Sequence, residues 1–183
     1  MAAEAPIPLA RLANLDFEGS CYPSEGKSFP IEAAVVRVGD GEGRTWLIRP
    51  EPAWADWTWD ADAAASHGIA REQLEREGLP AAQVWAELAA FVAGFAVVSD
   101  SESDDWWLQV LAEAAGAPVP FEIGSSAHQL KLMGIAGQTQ DNPLWRKAAA
   151  LARARWPQAH RALPDAQRGA EILRLVAGWN GWT

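Results

Sequence analysis

The order of hydrophobic and polar positions divides the chain into alternating strand-like and helix-like stretches. Residues 8–18 read as a first strand. Within it Asp16 and Glu18 share one face, and Leu15 and Phe17 share the other, because strand side chains alternate. Residues 19–29 carry the turn formers Gly19, Ser20, Pro23, Ser24 and Gly26 and read as a loop. Residues 31–38 and 44–49 read as two further strands, joined by the turn Gly39-Asp40-Gly41-Glu42-Gly43 and stopped at Pro50. The three form an antiparallel meander. Residues 50–66 are rich in Pro, Trp and Asp and read as a loop, with a short helix expected over 70–77.

From Pro80 the period becomes helical. Val84, Leu88 and Phe91 fall at i, i+4 and i+7, and proline suits a first turn. The run 95–99 is short and apolar and reads as a buried strand parallel to the first. A helix then carries Trp107, Leu108 and Leu111 on one face and ends near Gly116. A fifth strand is expected over 118–123, and helices over 125–136 and 143–155. The last helix, 164–177, has a stripe of small and apolar residues: Ala166, Gly169, Ala170, Leu173, Val176 and Ala177. This order predicts an α/β protein with a mixed five-stranded sheet flanked by helices. The first strand is central, pairing with the meander on one side and the parallel strand on the other. No repeat or linker divides residues 1–183, which read as one domain.

Composition changes the picture in a few places. The chain has 183 residues, 49% apolar and 21% charged, ordinary values for a globular protein. No apolar run is long enough for a membrane span, and the first residues lack a leader pattern. The single cysteine, Cys21, excludes an internal disulfide and a Cys-based zinc cluster, and a cytoplasmic setting is expected. The net charge of −9 opposes a broad grip on duplex DNA, although a short single strand needs few phosphate contacts. Gly26-Lys27-Ser28 has the ending of a phosphate loop, but Cys21 stands where that loop needs its first glycine.

The candidate chemistry lies in three acidic places. Asp16 and Glu18 put like charges on one strand face, an arrangement that a divalent cation compensates. The run 100–105 holds four carboxylates. Helical phase puts Asp104 on the face of Trp107, Leu108 and Leu111, and rotates Asp105 away. Asp165 falls in the first turn of the last helix, on its packing face, with His160 on the loop before it.

Asp16-Phe17-Glu18, His67-Gly68-Ile69, Asp104 and His160-x-Ala162-x-x-Asp165-Ala166, in that order, resemble the DEDD superfamily of 3′–5′ exonucleases in its histidine-bearing subfamily. Gly19-Ser20-Cys21 replaces the usual threonines and glycine after the first motif. Ser99-Asp100 replaces the usual His-Asn of the second, as in a branch resembling bacterial exoribonucleases. The resemblance implies an RNase H-like fold and two Mg²⁺ or Mn²⁺ ions held by Asp16, Glu18, Asp104 and Asp165. His160 would be the general base. Phe17, Gly19 and Trp107 would contact the terminal nucleotide. The implied substrate is the 3′ end of single-stranded RNA or DNA, RNA ahead of DNA, cut to nucleoside monophosphates. A homodimer is a further expectation, since many relatives are dimers. The alternative is a binding module of the same fold that does not catalyse, consistent with the altered second motif.

Overall fold

The computed structural model describes residues 4–136 and 139–182. Residues 1–3, part of the stretch read above as lacking a leader pattern, lie outside the described residues. Five strands form one mixed sheet: β1 (Leu12–Gly19), β2 (Pro30–Arg37), β3 (Gly43–Leu47), β4 (Ala96–Ser99) and β5 (Ile123–Ser125). Their order is β3-β2-β1-β4-β5. β1 runs antiparallel to β2 and parallel to β4, so it occupies the centre, as its sequence requires. Among the described residues seven α-helices flank the sheet: α1 (Ala61–His67), α2 (Arg71–Glu77), α3 (Ala81–Phe91), α4 (Ser103–Ala114), α5 (Ser126–Leu132), α6 (Pro143–Arg155) and α7 (Ala162–Trp179). None of them is long and apolar enough to cross a membrane.

The alternation of β1 sorts its side chains into two cores. Ala13, Leu15 and Phe17 pack with Val84 and Leu88 of α3 and with Leu108 and Leu111 of α4. Leu12, with Ala34 and Val36 of β2, packs on the other face against Ala166, Ala170, Leu173 and Val176 of α7. The small-residue stripe of α7 has a local purpose. A Cβ at Gly169 would lie 2.3 Å from Asn14 Nδ2, so only glycine lets the helix approach β1 this closely. The Asn14 amide in turn donates to the Ala166 carbonyl at 3.2 Å.

Several boundaries differ from the sequence expectation. β1 starts at Leu12, because residues Leu9–Arg11 make a 3-10 turn after Pro8. The expected loop 50–66 contains a second 3-10 turn, Pro52–Trp54, and most of α1. Asp60 caps α1 by accepting the Ala63 N–H at 2.7 Å, and Gly68, at φ +69°, ends it. β5 forms at Ile123–Ser125, sharing only Ile123 with the predicted 118–123, because Val97, Val98 and Ser99 pair with Ile123, Gly124 and Ser125. Pro118 and Pro120 have no N–H to contribute to a ladder. α7 begins at Ala162, not Pro164, because the Ala162 N–H finds an acceptor in the carboxylate of Glu32.

Candidate active site

The C-terminal end of β1, the N-termini of α4 and α7 and the end of α1 surround a cleft of about 510 Å³. Its lining includes Asp16, Phe17, Glu18, Gly19, Asp104, Trp107, His160 and Asp165, all of the residues that the sequence singles out. β1 delivers Asp16 and Glu18 on the same face, where each lies opposite a β2 residue, Ala34 and Glu32. A register shift between Glu18 and Gly19 bends the strand at the rim of the cleft.

One carboxylate oxygen from each of Asp16, Glu18 and Asp165 lies within 4.8 Å of the others. This spacing and the oxygen-only donor set suit a hard divalent cation. Asp104 stands outside that trio. It is buried at the first turn of α4, where one carboxylate oxygen accepts the Phe17 N–H at 3.2 Å and the other accepts the Ser99 hydroxyl. Asp105 is exposed, rotated away from buried Asp104 as helical phase predicts, and Asp100, which precedes α4, is exposed as well.

Without a cation the acids are held in a costly state. Burial, then the charges of Asp104, Glu18 and Asp100, push Asp16 well above the usual carboxylate range. Burial and the Glu32 and Asp104 charges push Glu18 up to about 7. Asp104 also rises to about 7, mainly from burial, against the lowering effect of its two hydrogen bonds. A group of acids displaced upward by burial and mutual repulsion gains from any positive charge placed among them.

His160 is exposed and adopts φ +56°, the only positive φ among the described non-glycine residues. That conformation costs a residue with a Cβ about 1–2 kcal/mol. His67 lies deeper. Its Nδ1 accepts the Ile69 N–H at 3.0 Å, which leaves the proton of the neutral ring on Nε2, and burial lowers its pKa.

Phe17 and Trp107 form a wall and are not free platforms. Both are buried, and the Trp107 indole N–H donates to the Ser28 hydroxyl at 2.8 Å. The Trp107 ring covers Gly19 so closely that a Cβ there would lie 2.2 Å from it. The exposed aromatic in the cleft is Tyr22.

Three further residues bear on the site and were not singled out from the sequence. Glu32 is buried beside Glu18 and accepts two bonds from Arg161, at 2.9 and 2.6 Å, and one from the Ala162 N–H at 2.9 Å. Arg168 lies against the Asp165 carboxylate and lowers the pKa of both Asp16 and Glu18. Glu32, the single acid of β2 and set between Ile31 and Ala33, was a visible signal. Arg168 carried none, since an arginine on a helix is ordinarily solvated.

No family model and no curated protein matches the sequence. Solved structures do match. Exonuclease I from Methylocaldum szegediense aligns with a TM-score of 0.67 and 20% identity, over 91% of this chain and 40% of that one. The nuclease domain of 3′hExo, a DEDDh family member crystallised with rAMP, aligns at 0.63 and 16%, over 93% of this chain and 92% of that one. Escherichia coli exonuclease I bound to a dA16 oligonucleotide aligns at 0.66 and 15%, over 91% and 40%. The chain thus spans 40% of the length of exonuclease I and nearly all of the 3′hExo nuclease domain. It shares their RNase H-like fold.

Proposed function

We propose that this chain is a divalent-metal-dependent 3′–5′ exonuclease of the DEDD type, acting on single-stranded nucleic acid and releasing nucleoside monophosphates, with residues 1–183 as one exonuclease-like domain. The observation that carries the reading is the meeting of the Asp16, Glu18 and Asp165 oxygens within 4.8 Å in a cleft that also takes in Asp104 and His160. The shared fold with exonucleases supports it.

In this reading Asp16, Glu18, Asp104 and Asp165 hold two Mg²⁺ or Mn²⁺ ions. The ions would supply charge stabilisation to the attacking and leaving oxygens of an in-line displacement. His160 would accept the proton of the attacking water on a ring nitrogen. Asp104, oriented by its bonds to Ser99 and the Phe17 N–H, would be the fourth carboxylate of the set. Phe17, Gly19 and Trp107 form the wall against which the terminal nucleotide rests, and Tyr22 offers the exposed ring on which a base can stack. RNA is proposed ahead of DNA, because Ser99-Asp100 resembles the second motif of exoribonucleases.

The test uses a 5′-labelled single-stranded RNA oligonucleotide and its DNA counterpart with Mn²⁺. A ladder shortened from the 3′ end with nucleoside monophosphate release is expected. Asp16→Ala or added EDTA should reduce the rate by at least about a thousandfold, the scale of lost charge stabilisation in a nuclease site. Full activity in folded Asp16→Ala would overturn the reading. A second reading, a binding module that does not catalyse, is favoured by one observation, the Arg168 guanidinium placed against Asp165. Retention of oligonucleotides without shortening, across RNA and DNA and both metals, would select it.

A further inference from the structure

The segment before α7 is gripped from both ends, and His160 sits between the grips. Downstream, Arg161 forks onto the buried carboxylate of Glu32, and the Ala162 N–H joins it. Upstream, Arg168 reaches back along α7. Its Nη1 donates to the Trp156 carbonyl at 3.2 Å and also to the Gln158 carbonyl, while its Nη2 meets the Asp165 carboxylate. Trp156 closes the end of α6, so a single side chain ties that helix end, the approach to His160 and an acid of the cleft together.

We propose that Arg168 is a positioning residue that holds the 156–160 segment, and through it His160, in fixed relation to Asp165. The proposal deepens the exonuclease reading and rests on it for the role of His160. The backbone supplies the reason such a device is needed. His160 at φ +56° sits in a region that residues with a Cβ leave unless their neighbours hold them there. The downstream grip fixes Arg161, one residue after His160, and the backbone of α6 fixes Trp156 through its N–H to the Ala152 carbonyl at 2.8 Å, but neither reaches residues 157–159. Arg168 closes that gap. A planar guanidinium can serve two carbonyls and a carboxylate at once because its donors fan out in one plane. A lysine ammonium is a point and satisfies one side of the arrangement. The arginine side chain is 20% exposed, so its geometry is set by packing as well as by charge.

A simpler role is distinguishable. If Arg168 only neutralised the acids, its removal would strengthen metal binding and leave His160 where it is. The full chain has three histidines, so their ring C2–H signals are resolvable by NMR, and His160→Ala assigns the one of interest. In Arg168→Met, the His160 signal is expected to move to the position of an unstructured peptide while those of His67 and His128 stay. With saturating Mn²⁺ and a single-stranded RNA oligonucleotide, kcat should fall about a hundredfold, the scale of a misplaced reacting group. KM should change by less than about threefold, since uniform binding is untouched. The acidic limb of the kcat profile should shift with the His160 signal, and Arg168→Lys should fall between wild type and Arg168→Met in both. An unmoved His160 signal in Arg168→Met, or tighter Mn²⁺ binding by isothermal titration with kcat retained, overturns the proposal. If Arg168→Met does not fold, Arg168→Lys decides by the same signals. If the wild-type protein cleaves nothing, the exonuclease reading falls, and the NMR arm alone still decides whether Arg168 positions His160.

Discussion

At the scale of single residues, the site depends on one close approach that no acid takes part in. Gly19 leaves room for the Trp107 indole, and a Cβ would lie 2.2 Å from the ring. The ring cannot withdraw freely, because its N–H is spent on Ser28 and it is packed in the core. Gly19→Ala should therefore destabilise the protein by about 1–3 kcal/mol, the usual cost of overpacking. Chemical denaturation checks the value, and Trp107→Phe in the same background should recover part of the loss. Strict additivity of the two changes would refute the contact. The acids were legible at this scale and the partnership was not. Asp16 and Glu18 follow from a period of two and Asp104 from helical phase, both local rules. The Gly19–Trp107 contact joins positions distant in sequence, and a glycine in a turn-rich stretch already has a sufficient local explanation.

At the scale of elements, the placing of α7 on the sheet decides whether Asp165 reaches Asp16 and Glu18. Two features set it: the close approach at Gly169 and the pair that buried Glu32 makes with the half-buried Arg161. Glu32 is 2% exposed, so removing Arg161 leaves a buried charge with the Ala162 N–H as its remaining close donor. Arg161→Ala is expected to destabilise by about 2–3 kcal/mol, below the full cost of orphaning a buried charge because the Ala162 N–H stays bonded to Glu32. Replacing both residues with apolar ones should cost much less. Equal losses in the single and double variants, measured by urea denaturation, would show that α7 is seated by other means. Long elements with strong periodicity, such as β1, β2, α3 and α7, were legible in the sequence. The short ones were not. α1 was hidden in a stretch whose Pro, Trp and Asp content reads as loop, although Asp60 and Gly68 carried its two caps. β5 has only three residues, and its pairing with β4 fixes its position. A local pattern cannot report a register.

For the molecule as a whole, the upward displacement of Asp16, Glu18 and Asp104 makes stability depend on pH, and the proposed cation site ties that dependence to metal. An acid whose pKa is higher in the folded than in the unfolded chain favours folding where it is protonated. Glu18 ordinarily titrates at 4.5 and Asp104 at 3.8, and both reach about 7 here. Their contribution is complete below the ordinary values and is lost as pH rises through about 7. His67 acts in the opposite sense, since its lowered pKa favours the folded state as pH rises. One buried histidine opposes three acids displaced upward, so the acids set the slope. In EDTA, Tm is expected to fall between pH 5.5 and 8 by on the order of 5 °C, from the scale of a pKa unit and the size of the chain. Mg²⁺ or Mn²⁺ at pH 8 should restore most of the loss, because a ligand that binds the folded state alone stabilises it by mass action. Glu18→Gln should flatten the EDTA slope and weaken the metal response together. A Tm that rises from pH 5.5 to 8 in EDTA would mean that the acids are already compensated from within. Arg168, which lowers the pKa of both Asp16 and Glu18, is the group to supply that compensation, and Arg168→Met would then turn the rise into a fall.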